Sequence, residues 1–335
     1  MSVTVAVVTY QRLAKLQKML PSLGSALAIP NLNIDVKIIF YINGADHQSV
    51  NFIRESNLSI QLIESSEILT PGAARNIILK SIETEWVCFF DDDIIVPEIF
   101  FKKFNDLVKE YPDVGVWGGP NVTPLDSSPF EFDIGFILSS YFVTGPVSKR
   151  YRSVADNMVG SELNLSLCNL IVRSYILKTE KFNNHVITAE ENELLYRLRK
   201  QNIQMRYSNF LAVGHYRRPS SKYFLNQIKY YGFGRGQVLR IHGYPLQSTF
   251  LLAGITLCIY VFKAYFVLFP ILLLVANFIH YSLDRKKINI QILFLPLKIW
   301  FMYGFGICLG FFNKKKILFH KTVRSVDQSP QEHKS

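Results

Sequence analysis

The sequence predicts an α/β protein, a mainly parallel sheet with helices on both faces, followed by apolar helices that belong in a membrane. Three observations predict it. β-Branched runs alternate with helical patterns from the N-terminus onward. Carboxylates and basic residues collect where those runs end. Residues 249–279 and 288–312 are far richer in Leu, Ile, Phe and Val than anything before them.

The first run, residues 3–9, is a strand ending at Thr9 and Tyr10, and RLAKLQKMLPSL after it carries its apolar residues at helical spacing. DVKIIFYI is a second strand that closes on Asn43-Gly44, and a helix begins near HQSVNFIRES. In TPGAARNIILKSI, Thr70 is placed to cap a helix and Pro71 to occupy its first turn. EWVCFF is the next strand, and it runs into Asp91, Asp92 and Asp93. Strands alternating with helices imply parallel pairing and burial of both faces. In such sheets ligands bind beyond the carboxyl ends of the strands. Thr9, Tyr10, Arg12, Asn43, Arg75 and the three aspartates are therefore expected around one crevice.

Farther on, residues 113–160 are rich in Gly, Pro and Ser and read as loops with a short strand or two. LNLSLCNLIVRSYIL resumes a buried pattern, and ITAEENELLYRLRKQN is an amphipathic helix with Leu194, Leu195 and Leu198 on one face. The organisation expected is an α/β domain over 1–240, a membrane-associated helical region over 246–316 and a disordered tail over 317–335.

An apolar fraction of 49% is enough to bury a sizeable core and excludes a disordered chain. Lys and Arg number 37 against 26 Asp and Glu, a net charge of +11, and the excess has a location. No acidic residue stands between Glu193 and Asp284, a stretch that holds Arg206, Arg217, Arg218, Lys222, Lys229 and Arg235. Basic residues leading into an apolar segment favour an anionic membrane surface or a phosphorylated ligand over nucleic acid. The interleaved Tyr216, Tyr223, Tyr230 and Phe233 suit a bilayer interface. Cys88, Cys168, Cys258 and Cys308 show no CxxC spacing, so neither a disulfide framework nor a zinc site is predicted, and a reducing compartment is expected. The N-terminal residues read as a strand rather than a signal peptide.

Three adjacent carboxylates in an apolar run repel one another and are costly to bury unpaired. A hard divalent cation, Mg²⁺ or Mn²⁺, bridging to a diphosphate would hold them. The bland alternative is an exposed acidic turn.

On these segments the chain resembles the family 2 glycosyltransferases, which have the GT-A fold. VAVVTYQR is similar to the family's opening strand and nucleotide-contacting turn, TPGAARNIIL to its G-x-ARN element and FFDDD to its DxD motif. LCNLIVRSYIL followed by AEENELLYRLRKQN resembles the acceptor-side segment and the ED motif. GHYRRPSSKYFLNQIKYYGFGRGQ resembles the closing segment of members that build exopolysaccharides and O-antigens and carry C-terminal membrane segments. The resemblance implies a nucleotide-sugar donor, a UDP-sugar first among them, contacted by Thr9, Tyr10, Arg12, Asn43, Arg75, Asp91 and Asp92. It implies catalysis by Glu190-Glu191, with Glu191 as base, and metal ligation by Asp91, Asp93 and His215. Arg217 and Arg218 are expected to face phosphate of the donor or of a polyprenyl-linked acceptor. One base and in-line attack invert the anomeric configuration.

This chain departs from the family pattern at two places. Its second strand ends in YINGAD where many members have paired aspartates, and its ED motif reads Glu-Glu. Thr188-x-x-Glu191 also fits a capping box, which would make Glu191 structural. Gln227 is not followed by the Arg-Trp of processive synthases, so single-sugar transfer is favoured. With the apolar segments, the resemblance implies an enzyme at the inner membrane with its catalytic domain on the cytoplasmic side. Two rivals are a nucleotidyltransferase of related architecture, which would need a glycine-bearing phosphate loop where TYQRLAK has none, and a non-catalytic membrane-anchored binding subunit, which intact acidic motifs disfavour.

Overall fold

The computed structural model describes residues 1–156, 158–243, 271, 275 and 294–313. The tail expected over 317–335 and nearly all of the apolar segment 249–279 lie outside the described residues.

The chain runs β1 (Ser2–Thr9), α1 (Leu13–Leu27), β2 (Asp35–Asn43), α2 (His47–Arg54), β3 (Ile60–Ser65), α3 (Pro71–Ile78), β4 (Trp86–Phe90), β5 (Ile94–Ile95) and α4 (Phe100–Glu110). It continues through β6 (Val116–Gly118), β7 (Asn121–Val122), α5 (Pro129–Ser139), α6 (Tyr141–Thr144), β8 (Met158–Val159), β9 (Asn169–Arg173) and α7 (Ser174–Thr179). The remaining elements are α8 (Glu190–Lys200), β10 (Met205–Tyr207), β11 (Val213–His215), α9 (Ser221–His242) and α10 (Leu295–Phe312).

Two compact units form, one from Met1–Ser127 with Lys149–Arg217, the other from Ser128–Ser148 with Arg218–Ser335. This division runs elsewhere than the breaks expected at 240 and 246. The segment 128–148 and helix α9 group with the apolar C-terminal part.

The first unit is an α/β fold around an eight-stranded sheet of order β3-β2-β1-β4-β9-β6-β10-β8. Strands β3, β2, β1 and β4 are parallel, as the alternation of strand and helix requires. Strand β9 runs antiparallel to both β4 and β6. Side chains along each strand alternate between two cores, as the pleat dictates. Val3, Val5, Val7, Cys88 and Phe90 face α1 and α4 residues such as Leu16, Met19 and Phe104. Ala6, Val87 and Phe89 join Ala74, Ile78, Leu194, Leu195 and Leu198 on the other side. Edge-to-face pairs Trp86–Phe104 and Phe90–Phe100, each 5.2 Å between centroids, pack β4 against α4. A small second sheet of order β5-β11-β7 lies against the end of β4 in sequence.

In the second unit α5 starts with a capping box in which Ser128 and Glu131 satisfy each other's backbone N–H groups. The Gly-, Pro- and Ser-rich composition of residues 113–160 predicts only loops and short strands there. Helices α9 and α10 pack with their backbones nearly touching. A methyl group on Gly306 or Gly310 would collide with the carbonyl oxygens of Lys229 and Phe233, and one on Gly232 with that of Tyr303. Among the described residues one helix, α10, is long and apolar enough to cross a membrane.

Candidate active site

Because β1, β2 and β4 are parallel, their carboxyl ends share one edge of the sheet, and Thr9, Asn43 and Asp91 to Asp93 arrive there together. The antiparallel β9 brings its N-terminal end to the same edge. Asn169 is the register partner of Phe90, so Cys168 stands beside Asp91. The second sheet adds His215, the register partner of Ile94, next to Asp93.

The aspartates are held by cations and donors. Arg12 Nη1 lies 3.0 Å from Asp92 Oδ1 and 2.8 Å from Asp93 Oδ2. It reaches them from the first turn after β1, where Gln11 adopts φ 51° and its N–H is held by Asp46 at 2.9 Å. Asp46 also caps α2 through the Ser49 N–H, so one carboxylate fixes both turns. Asp91 is the most open of the three, with 31% of its side chain exposed. Its Oδ1 is 3.4 Å from Arg75 Nη2 and its Oδ2 is 3.2 Å from Cys168 Sγ. Burial and the neighbouring Asp91 and Asp93 charges push the Cys168 thiol well up from its ordinary pKa.

His215 sits between two partners. Its Nδ1 is 2.8 Å from Arg217 Nη1 and its Nε2 is 3.1 Å from Asp93 Oδ1. A guanidinium can only donate, so Nδ1 accepts and the ring proton lies on Nε2, donated to Asp93. Arg217 is further fixed by the side chain and backbone oxygens of Asn121. Arg218 belongs to the second unit.

The glutamate pair enters from the start of α8. Ala189, not Thr188, is the N-cap, in the left-handed region at φ 66°, and no side chain caps the helix. For a residue with a Cβ that conformation costs about 1 kcal/mol, and it is held at the point where the chain must turn both glutamates inward. The capping-box reading of Glu191 is therefore corrected. With the helix starting one residue later, its carboxylate cannot occupy the N3 position, and it pairs instead with Arg150 at 3.3 Å. Glu190 is buried against Arg75 at 2.7 Å. Burial pushes Glu190 up to about 7; Arg75 opposes that rise and Glu191 adds to it. The two nitrogens of Arg75 thus join the glutamate pair to the aspartate triplet. Glu193 pairs with Arg197 along the helix, as its spacing predicts.

Two residues expected at the nucleotide have mainly local partners. Asn43 uses its amide on Leu69, accepting from its N–H at 2.8 Å and donating to its carbonyl at 3.0 Å. Tyr10 packs its ring over Gly44, which adopts φ 107° and has no room for a side chain. The Thr9 hydroxyl is buried without a hydrogen-bond partner, a costly state inside a protein.

Arg150 and Cys168 were not singled out from the sequence. Arg150 ends the short 3-10 helix Gly145–Arg150, and its position rests on the carbonyls of Glu162 and Leu163, at 2.7 and 3.1 Å. Cys168 carried a signal only if the direction of β9 were known.

Ligand atoms of Asp91, Cys168 and His215 lie within 4.8 Å of one another, a spacing that fits one divalent cation. Carboxylate, imidazole and thiol together suit such an ion, with Asp93 at hydrogen-bond distance from His215.

The family model described as "Glycosyltransferase like family 2" matches residues 2–229. The chain belongs to this family. Solved structures share the GT-A fold at low identity. The mannosyltransferase PcManGT from Pyrobaculum calidifontis, in complex with GDP-Man and Mn²⁺, is 11% identical with a TM-score of 0.60, over 93% of this chain and 88% of that one. S. aureus TarS 1–349 in complex with UDP-GlcNAc is 16% identical with a TM-score of 0.51, over 92% and 91%. The chain spans 42% of the longer S. aureus TarS chain that it also matches. No curated protein matches it in sequence.

Proposed function

We propose that this family 2 glycosyltransferase moves one sugar, with inversion, from a nucleoside-diphosphate donor to a polyprenyl-linked glycan precursor at a membrane. The observation that carries the reading is the Arg75 fork, which brings Asp91 and Glu190 to the same guanidinium and so joins the donor end of the site to its acid–base end. Relatives of the same fold hold GDP-Man with Mn²⁺ or UDP-GlcNAc, and a UDP-sugar is the first donor to test here.

In this reading the acceptor hydroxyl oxygen attacks the anomeric carbon as the bond to the diphosphate breaks, and Glu191 takes the hydroxyl proton. Arg150 holds the Glu191 carboxylate in place. Arg12 turns from the aspartates toward the departing diphosphate, whose growing charge it stabilises with Arg75. A divalent cation at Asp91, Asp93 and His215 supplies charge neutralisation for the same leaving group. Glu190 keeps Arg75 aimed. What supports the membrane part of the reading is the apolar α10 and the basic, aromatic α9.

The test is a panel of nucleotide sugars screened by thermal shift on the full chain, with Mn²⁺ or with chelator. A UDP-sugar should raise the melting temperature by several degrees with the cation present. Stabilisation by nucleoside triphosphates and by no nucleotide sugar would point to nucleotidyl transfer instead.

A further inference from the structure

Among the carboxylate-bearing edges of this site stands one atom of different chemistry, the Cys168 sulfur. We propose that Cys168 is a ligand of the divalent cation together with Asp91 and His215, and that the site therefore takes borderline and soft cations of the zinc, cobalt and cadmium class in preference to Mg²⁺. The proposal rests on the reading of this edge as a metal site.

The geometry supports ligation. Tetrahedral bonds of about 2.3 Å to sulfur and about 2.1 Å to oxygen separate the two ligand atoms by roughly 3.5 Å, and Cys168 Sγ lies 3.2 Å from Asp91 Oδ2. The imidazole completes a group whose atoms all fall within 4.8 Å, so modest contraction encloses an ion. The three ligands stand in or directly beside separate strands whose registers fix them. Asn169 opposite Phe90 places the thiol, and His215 opposite Ile94 places the ring. An ion can enter past Asp91, the open member of the triplet.

The chemistry selects the ion. Mg²⁺ takes oxygen ligands and keeps much of its water, whereas thiolate and imidazole favour softer metals. Ligation exchanges the S–H bond for a sulfur–metal bond and releases that proton to buffer; His215 Nε2 takes the ion as its own proton passes to Nδ1, which gives up its bond from Arg217, and no oxidation state changes. The competing account is a buried cysteine acting as a small apolar residue that donates a weak S–H bond to Asp91.

The full chain titrated with Co²⁺ should develop a sulfur-to-cobalt charge-transfer band in the near ultraviolet. Cys168→Ser should lose the band while Mn²⁺ binding, followed by electron paramagnetic resonance, persists; Cys308→Ser, on the other unit, should keep it. Co²⁺ binding without the band, beside intact Mn²⁺ binding, would remove Cys168 from the metal and leave the metal site standing. Failure of the unaltered protein to bind either ion would overturn the metal reading and this proposal with it. If Cys168→Ser does not fold, cadmium-113 resonance of the unaltered protein decides, since sulfur coordination shifts the signal strongly downfield and an oxygen and nitrogen shell does not.

Discussion

Arg150 donates to the Glu191 carboxylate at 3.3 Å while carbonyl oxygens of Glu162 and Leu163 hold the rest of its guanidinium. A cation anchored so thoroughly to backbone cannot follow a wandering side chain. It fixes one glutamate oxygen and leaves the second for other work. Since no capping bond competes for that carboxylate, Glu191→Gln tests proton acceptance with little disturbance of the fold. The amide oxygen still accepts from Arg150, so the melting temperature and donor affinity should stay near those of the unaltered enzyme. Turnover should fall about a hundredfold or more, because an amide takes no proton. Near-normal turnover would move the role of base to another carboxylate.

Glu190 predicts a pH dependence of stability. Its folded pKa is raised from 4.5 to about 7, chiefly by burial. Between those values the folded chain holds a proton that the unfolded chain has released. This group's contribution is therefore complete below about pH 4.5 and is lost as pH rises through about 7. Urea midpoints at pH 5 and pH 8 should show a decline in the unaltered protein that is smaller in Glu190→Gln. The comparison across pH matters because the substitution also weakens the Arg75 pair at every pH. Equal declines in both proteins would assign the pH dependence to other groups.

How much of this was legible in the sequence depends on whether local signals or long-range register decide the position. Parallel β1, β2 and β4 follow from strand–helix alternation, so the gathering of Thr9, Asn43 and the aspartates at one edge could be read directly. Thr70 caps α3 as its residue type predicts. Two S/T-x-x-E patterns show where local reading stops. The one from Ser128 to Glu131 is a true capping box, and the one from Thr188 to Glu191 is not, because Ala189 turns left-handed and starts the helix a residue later. Nothing in the local sequence marks that conformation. Cys168 was obscured for a different reason. An antiparallel β9 puts its first residues at the carboxyl edge, and strand direction is set by pairing partners distant in sequence.

Arg12 predicts a competition. Its Nη1 lies within 3.0 Å of one oxygen each of Asp92 and Asp93, and the second of these carboxylates is one a cation would also use. Removing its charge lowers the positive potential at the triplet, so Arg12→Gln should bind Mn²⁺ about tenfold more tightly without nucleotide. The same variant should bind nucleoside diphosphate more weakly, since the side chain no longer offers charge to phosphate. Electron paramagnetic resonance for Mn²⁺ and calorimetry for UDP and GDP read the two effects separately. Weaker binding of both would mean that Arg12 shapes the site without competing for it.

Helix α10 carries a prediction about the proposed membrane attachment. Phe301 and Phe305 of α10 are 72% and 48% exposed, and their rings stack at 6.4 Å. The opposite side of the helix carries Gly306 and Gly310 against the backbone of α9. Deleting residues 246–335 removes both faces at once and uncovers the glycines of α9, so loss of membrane binding in that truncation has two explanations. Phe301→Glu combined with Phe305→Glu changes only the exposed face. Each carboxylate opposes transfer into hydrocarbon by about 2–3 kcal/mol, and the glycine packing is untouched. The double variant should shift from the membrane pellet to the supernatant after a high-salt wash while keeping its melting temperature. Gly306→Leu should instead destabilise the second unit, because the new side chain meets the Lys229 carbonyl. A double variant that still sediments with membranes would place the attachment outside α10.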